Sequence, residues 1–237
     1  MRLILNVIAP DNKEKKMREL RAILFGDLRT KDECEEEEIE YKEEIHKLTG
    51  EGEGRVDQTI LETIVQNIIR KAQVEKEYCI FYGEICQEEI QLELALRGEV
   101  NKRENMKLSL FRKQLFNVCK VEFEKFFDEE ELKKSKKDKE SEILFKVKLF
   151  GNIEFLGELY RRKLLPQTTL ISVFESLLGI SDVNETVNDL VIEGAINLMN
   201  KVGEDFENNI NSAKKVKEDV KSKFTKIIER FKWAQEN

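Results

Sequence analysis

The residues best suited to chemistry are few in this chain. His46 is the single histidine, and the four cysteines are Cys34, Cys79, Cys86 and Cys119. Nucleophilic catalysis needs a base beside the nucleophile, and a lone imidazole within a strongly acidic stretch has no fixed partner to orient it. None of the cysteines forms a Cys-x-x-Cys pair, so tetrahedral zinc ligation is not expected. Isolated cysteines on apolar helix faces behave as small buried hydrophobes. Carboxylate pairs are abundant because the chain holds 48 Asp and Glu, and their abundance makes any one pair uninformative. The run Gly50-Glu51-Gly52-Glu53-Gly54 superficially resembles a phosphate loop. It follows no strand, lacks the Lys-Ser/Thr ending, and its carboxylates would repel phosphate. The residues therefore predict a protein that is not an enzyme, with no metal and no cofactor.

The elements that carry these residues are helical by pattern. Apolar residues recur at Leu61, Ile64, Val65, Ile68, Ile69 and Ala72, one stripe along one helix face. Val216, Val220, Phe224, Ile227, Ile228 and Phe231 repeat the theme, as do Val187, Leu190, Val191, Leu198 and Val202. No segment alternates with period two between turn residues, so no strand is expected. Val147 to Leu165 is apolar on nearly every side, which predicts a helix buried among several neighbours. Gly151 and Gly157 within it read as sites of close helix approach.

Two segments interrupt the rhythm. Residues 30–55 read as a flexible acidic insert and residues 128–142 as a charged loop or frayed helix. The net charge of −7 speaks against RNA binding by bulk electrostatics, although local basic groups remain. The start of the chain reads as no signal peptide, and no apolar run reaches membrane-spanning length, so the expected setting is cytoplasmic. Eight or nine helical stretches over 237 residues fit about five two-helix units of the HEAT type, although periodicity alone does not separate such a solenoid from a helical bundle.

Particular strings then point to a family. Phe111 to Glu124 reads FRKQLFNVCKVEFE, followed by Lys125, and Phe150 to Leu159 reads FGNIEFLGEL. Lys201-Val202-Gly203-Glu204-Asp205 follows, and Ile4-Leu5-Asn6 leads to Ala9-Pro10 near the start. Together these resemble the middle domain of eukaryotic translation initiation factor 4G, with weaker similarity over nearly the whole chain. The resemblance implies an all-α fold: a right-handed solenoid of about five HEAT-type antiparallel helix pairs, formed as a single domain over residues 1–237. It implies a scaffold that binds the DEAD-box RNA helicase initiation factor 4A, gripping its two lobes and stimulating its ATP-dependent unwinding. Weak RNA binding and contact with initiation factor 3 are implied as well, by a chain expected to be monomeric.

The helicase-facing residues implied are Pro10, Asp11, Asn12, Arg112, Lys113, Asn117, Glu122, Phe123, Lys125, Asn152, Glu154, Glu158 and Phe224. Phe123 also reads as core, and Asn152 as a bridge satisfying a neighbouring helix. The RNA-facing candidates are Arg103, Lys107, Arg112, Lys113, Arg161, Arg162 and Lys163, of which the last three also complement a helix C-terminus. The insert at 30–55 is longer than the corresponding family loop, and no Tyr-x4-Leu-Leu peptide implies recruitment of the cap-binding protein. Two other readings stay open: a related HEAT-type module of mRNA decay, splicing or cap-binding machinery, and a stand-alone RNA-binding domain.

Overall fold

The computed structural model of the protein describes residues 8–25, 58–96, 106, 109–180, 189–212 and 218–236. The acidic insert read at 30–55, together with Arg103 and Lys107, lies outside the described residues. Among the described residues every regular element is helical, and there is no strand. The described residues form nine α-helices: α1 (Lys13–Phe25), α2 (Gln58–Val74), α3 (Cys79–Leu96), α4 (Leu110–Glu124), α5 (Glu129–Ser135), α6 (Lys139–Arg161), α7 (Gln167–Leu177), α8 (Asp189–Ser212) and α9 (Glu218–Glu236). The chain divides into two compact units, one formed by residues 1–71 and 84–122, the other by 72–83 and 123–237.

In the first unit the predicted stripe of α2 is buried from Leu61 to Ile69. Ile85, Ile90 and Leu94 of α3 and Phe111, Leu115 and Cys119 of α4 complete an apolar core. Charged residues tie α1 to α3: Lys13 donates to Glu88 at 2.5 Å, and Arg21 donates to Glu89 at 2.7 Å. Glu89 is fully buried, and burial raises its carboxyl above the ordinary value despite Arg21. Glu93, one turn further and also buried, accepts from the backbone N–H of Leu110 at 2.7 Å and of Phe111 at 3.0 Å, and from the Ser109 hydroxyl. Ser109 Oγ in turn accepts from Arg112 N at 3.0 Å. The first three N–H groups of α4, which have no partner within the helix, are thus capped by a side chain of α3 and by Ser109.

In the second unit, the charged segment 128–142 is ordered, more so than a loop. Asp128 accepts from the N–H groups of Glu130 and Glu131, starting α5. Asp138 accepts from Ser141 N at 2.7 Å and starts α6 at Lys139. Glutamates fill the first turn of α5 and lysines its last, the arrangement the helix dipole favours. The apolar helix predicted from Val147 to Leu165 begins earlier, and it ends at Arg161. It is buried from Leu149 to Tyr160 except for half-buried Phe150 and Glu154, while Val147 is exposed.

Helices α6 and α8 pack in register with chain direction shared. Lys146 pairs with Glu193, Lys201 with Glu154, and Arg161 with Asp205, so both numbers climb together. Helix α7 packs on both, and α9 packs on α7. Leu198, Val202 and Phe206 of α8, Phe174 and Leu177 of α7, and Ile227 of α9 are buried between them. Phe206 is the centre of an aromatic group, with ring centroids 5.2 Å from Phe224, 5.9 Å from Phe174 and 6.0 Å from Tyr160.

Candidate interaction surfaces

The most concentrated polar arrangement of the second unit lies on α6. Glu154 and Glu158 stand one turn apart, and both face Lys201 of α8. Lys201 donates to Glu154 Oε1 and lies 3.5 Å from Glu158 Oε2. Arg162 Nε donates to Glu158 Oε1 at 2.7 Å, and its Nη2 reaches the Ile80 carbonyl at 3.4 Å. Two small residues admit this chemistry. A Cβ on Gly157 would stand 2.7 Å from Cδ of Lys201, and one on Gly83 would stand 2.9 Å from Arg162 Nε. Glu158 is buried and the other three side chains are half-buried. Charges held this way position helices against one another.

Asn152 is buried too, and its amide oxygen has no hydrogen-bond partner, as does Nε2 of buried Gln73. The bridging role read for Asn152 is therefore not met through its oxygen. Phe123 is buried, with its ring 5.2 Å from that of Phe127, which agrees with the core reading. Phe224 lies in the aromatic group around Phe206 and is half-buried. Lys125 is exposed in the single turn that follows α4.

The basic run at the end of α6 splits three ways. Arg161 is exposed, with Nε 3.6 Å from Asp205; Arg162 turns inward; Lys163 is exposed with φ of 63°. The three do not form one continuous cationic face.

In the first unit, Lys113 and Asn117 are exposed one turn apart on α4, and Lys120 and Val121 continue the same face. Arg112 and Glu122 are half-buried beside it, and burial lowers the pKa of Arg112. Pro10 and Asp11 are exposed ahead of α1, while Asn12 Oδ1 accepts from Ala9 N at 2.9 Å and closes the turn. The residues that sequence reasoning missed are Glu89, Glu93 and Lys201. Each is a charged group interrupting an apolar helix face, and that interruption is the signal that could have found them. The described residues hold no cluster of metal-ligating side chains.

The chain is 26% identical over 161 residues to a eukaryotic translation initiation factor 4G of Arabidopsis thaliana, covering 63% of this chain and 9% of that protein. It is 28% identical over 219 residues to the Cucumis melo factor 4G, covering 86% of this chain and 9% of that protein. With a eukaryotic translation initiation factor 4 gamma of Dictyostelium discoideum it shares 24% identity over 193 residues, 67% of this chain and 14% of that protein. The chain carries an initiation-factor-4G-like domain. It spans about a tenth of the length of the curated relatives it matches. No family model matches it. The factor-4G-like chain has no helix among its described residues that is long and apolar enough to cross a membrane.

Proposed function

We propose that this chain is a cytosolic, non-catalytic scaffold of translation initiation that binds the DEAD-box helicase initiation factor 4A and stimulates its ATP-dependent RNA unwinding. The observation that carries this reading is the similarity to initiation factors 4G from two plants and a slime mould. Their names support a role in translation initiation. A HEAT-type arrangement is supported by the second unit, where α6 and α8 run parallel with α7 packed on both, the relation expected of successive helix pairs.

A scaffold of this kind needs no catalytic group. It shifts the helicase toward its productive state by contacting that state better than the others. Exposure makes Pro10, Asp11, Lys113, Asn117 and Lys125 the contact residues we favour, with Arg112, Glu122 and Glu154 at the margins. Phe123, Asn152 and Glu158 are buried and Phe224 is held in its aromatic group, so we assign them no direct contact with the helicase. RNA contact is weak and salt-sensitive, and initiation factor 3 is a further partner of the same scaffold.

The test is factor 4A ATPase activity with RNA, with and without the purified chain. The rate rises with the chain present, and Lys113→Glu with Asn117→Ala weakens the effect without changing thermal unfolding. Absence of both binding and a rate change would end this reading. Binding with a fall in rate would instead indicate a helicase-inhibiting relative from mRNA decay or splicing.

A further inference from the structure

The head of α6 leaves an apolar face bare. Ile143, Leu144 and Val147 are 55%, 45% and 41% exposed, although they lie on the helix whose later turns are the most deeply buried of the unit. Ile143, Val147 and Gly151 succeed one another at one-turn spacing on one face. At Gly151 that face is covered by the backbone of Gln73, so closely that no Cβ would fit, and the turn Lys76–Tyr78 also packs on α6. One and two turns earlier the same face is about half open to solvent. The bare turns end against a neighbouring segment in which Val74 is itself 53% exposed.

Lysines rim this face. Lys136 and Lys137 stand in the turn before α6, Lys139 at its first position and Lys148 on its flank. All four are exposed and make no ion pair among the described residues, whereas Lys133, Lys134 and Lys146 nearby are paired with glutamates. Lys139 sits at the positive end of the α6 dipole, where a cation is disfavoured, whereas Lys136 and Lys137 follow the end of α5, where one is favoured. Exposed Asp138, Glu140 and Glu142 only partly balance the four. Helix stability accounts neither for Lys139 nor for the three aliphatic side chains left in water.

We propose that this face docks an acidic segment of another protein that carries aliphatic anchors at helical spacing. The anchors would bury against Ile143, Leu144 and Val147, and the carboxylates would meet Lys136, Lys137, Lys139 and Lys148. A helix-in-groove partner uses both features. RNA would use the lysines and leave the aliphatic groups wet, and a protein segment can set an uncharged residue opposite exposed Glu140, which a uniformly anionic membrane cannot. The proposal uses none of the residues assigned to the helicase and does not depend on that assignment.

The test is fluorescence anisotropy of a labelled, glutamate-rich helical peptide with leucines at i, i+3 and i+7 spacing, titrated with the full chain. Saturable binding is expected, weakened about tenfold by Ile143→Ser with Val147→Ser, and comparably by Lys139→Glu with Lys148→Glu. All four positions are exposed, so the unfolding midpoints should match the wild type. A control peptide with serine for leucine should bind at least as weakly as the doubly substituted chain binds the original. No binding, equal binding of both peptides, or insensitivity to Ile143→Ser with Val147→Ser would overturn the proposal. Binding of phosphatidylserine vesicles or oligouridylate without binding of the peptide, or self-association abolished by the same double substitution, would also overturn it by assigning the face to another occupant.

Discussion

Gly151 lies so close to Gln73 that an added Cβ would stand 2.0 Å from the Gln73 carbonyl oxygen and 2.5 Å from its carbonyl carbon. The opposing atoms are backbone and have no rotamer to yield. Gly151→Ala must therefore push α6 away from the chain at Gln73, at a cost of about 2 kcal/mol or more in urea unfolding, as overpacking of a tight contact requires. Gly203→Ala on α8 is the control, because it meets only the flexible Met199 side chain at 3.3 Å. That change should be near neutral or gain about 0.5 kcal/mol from helix propensity. Equal unfolding midpoints for the two variants would contradict this account.

Lys201 is shared by two carboxylates, and removing it takes the cation from Glu154 and leaves Glu158 with Arg162 alone. Lys201→Met should destabilise the fold by about 2 kcal/mol, less than the loss for a fully buried pair because Glu154 is partly open to water. Adding Glu154→Gln to Lys201→Met should recover part of that loss, since the carboxylate left without its cation is gone. A double-mutant cycle in chemical denaturation measures this, and strict additivity of the two changes would refute the coupling.

Glu89 gives the first unit a pH dependence of its own. Burial raises its folded carboxyl above the ordinary value of 4.5, so the folded chain holds this proton more tightly than the unfolded one. Its contribution to stability is therefore greatest below the unfolded value and is lost as pH rises through the folded value. The stability of wild type relative to Glu89→Gln should fall across that window. Urea midpoints of both proteins at stepped pH report it; a difference that grows with pH would show that the Arg21 contact dominates.

The thiols Cys79, Cys86 and Cys119 are all buried, and burial pushes Cys79 up to about 12. At mildly alkaline pH these three should resist iodoacetamide in the native protein and react readily in urea, as peptide mass mapping would show. Modification of Cys79 in the native state at the rate of an exposed thiol would contradict the burial described.

The helical class was legible from sequence because a stripe such as Leu61 to Ala72 has the same period in the chain as on the helix. The burial of Cys79, Cys86 and Cys119, the core place of Phe123 and the close approach at Gly151 followed from residue type and neighbours in the same way. The order of segment 128–142 was not legible as such. High charge resembled a loop, and the outcome rested on Asp128 and Asp138 acting as caps, a local geometry that composition averages away. The contact residues were the least legible of all. Asn152, Glu154 and Glu158 are polar residues in one matched string, yet Asn152 and Glu158 face inward and Glu154 is engaged by Lys201.

By itself, the sequence determined that the chain is helical, which faces of its helices are apolar, and which family it resembles, because these depend on local period and local strings. Only the tertiary structure decided which charged groups are spent inside the protein and which remain for a partner. Lys201 lies more than forty residues from the glutamates it serves, and Glu93 caps a helix that starts 17 residues later. Such pairings are set by how helices pack, and packing couples residues whose separation along the chain carries no signal of their meeting.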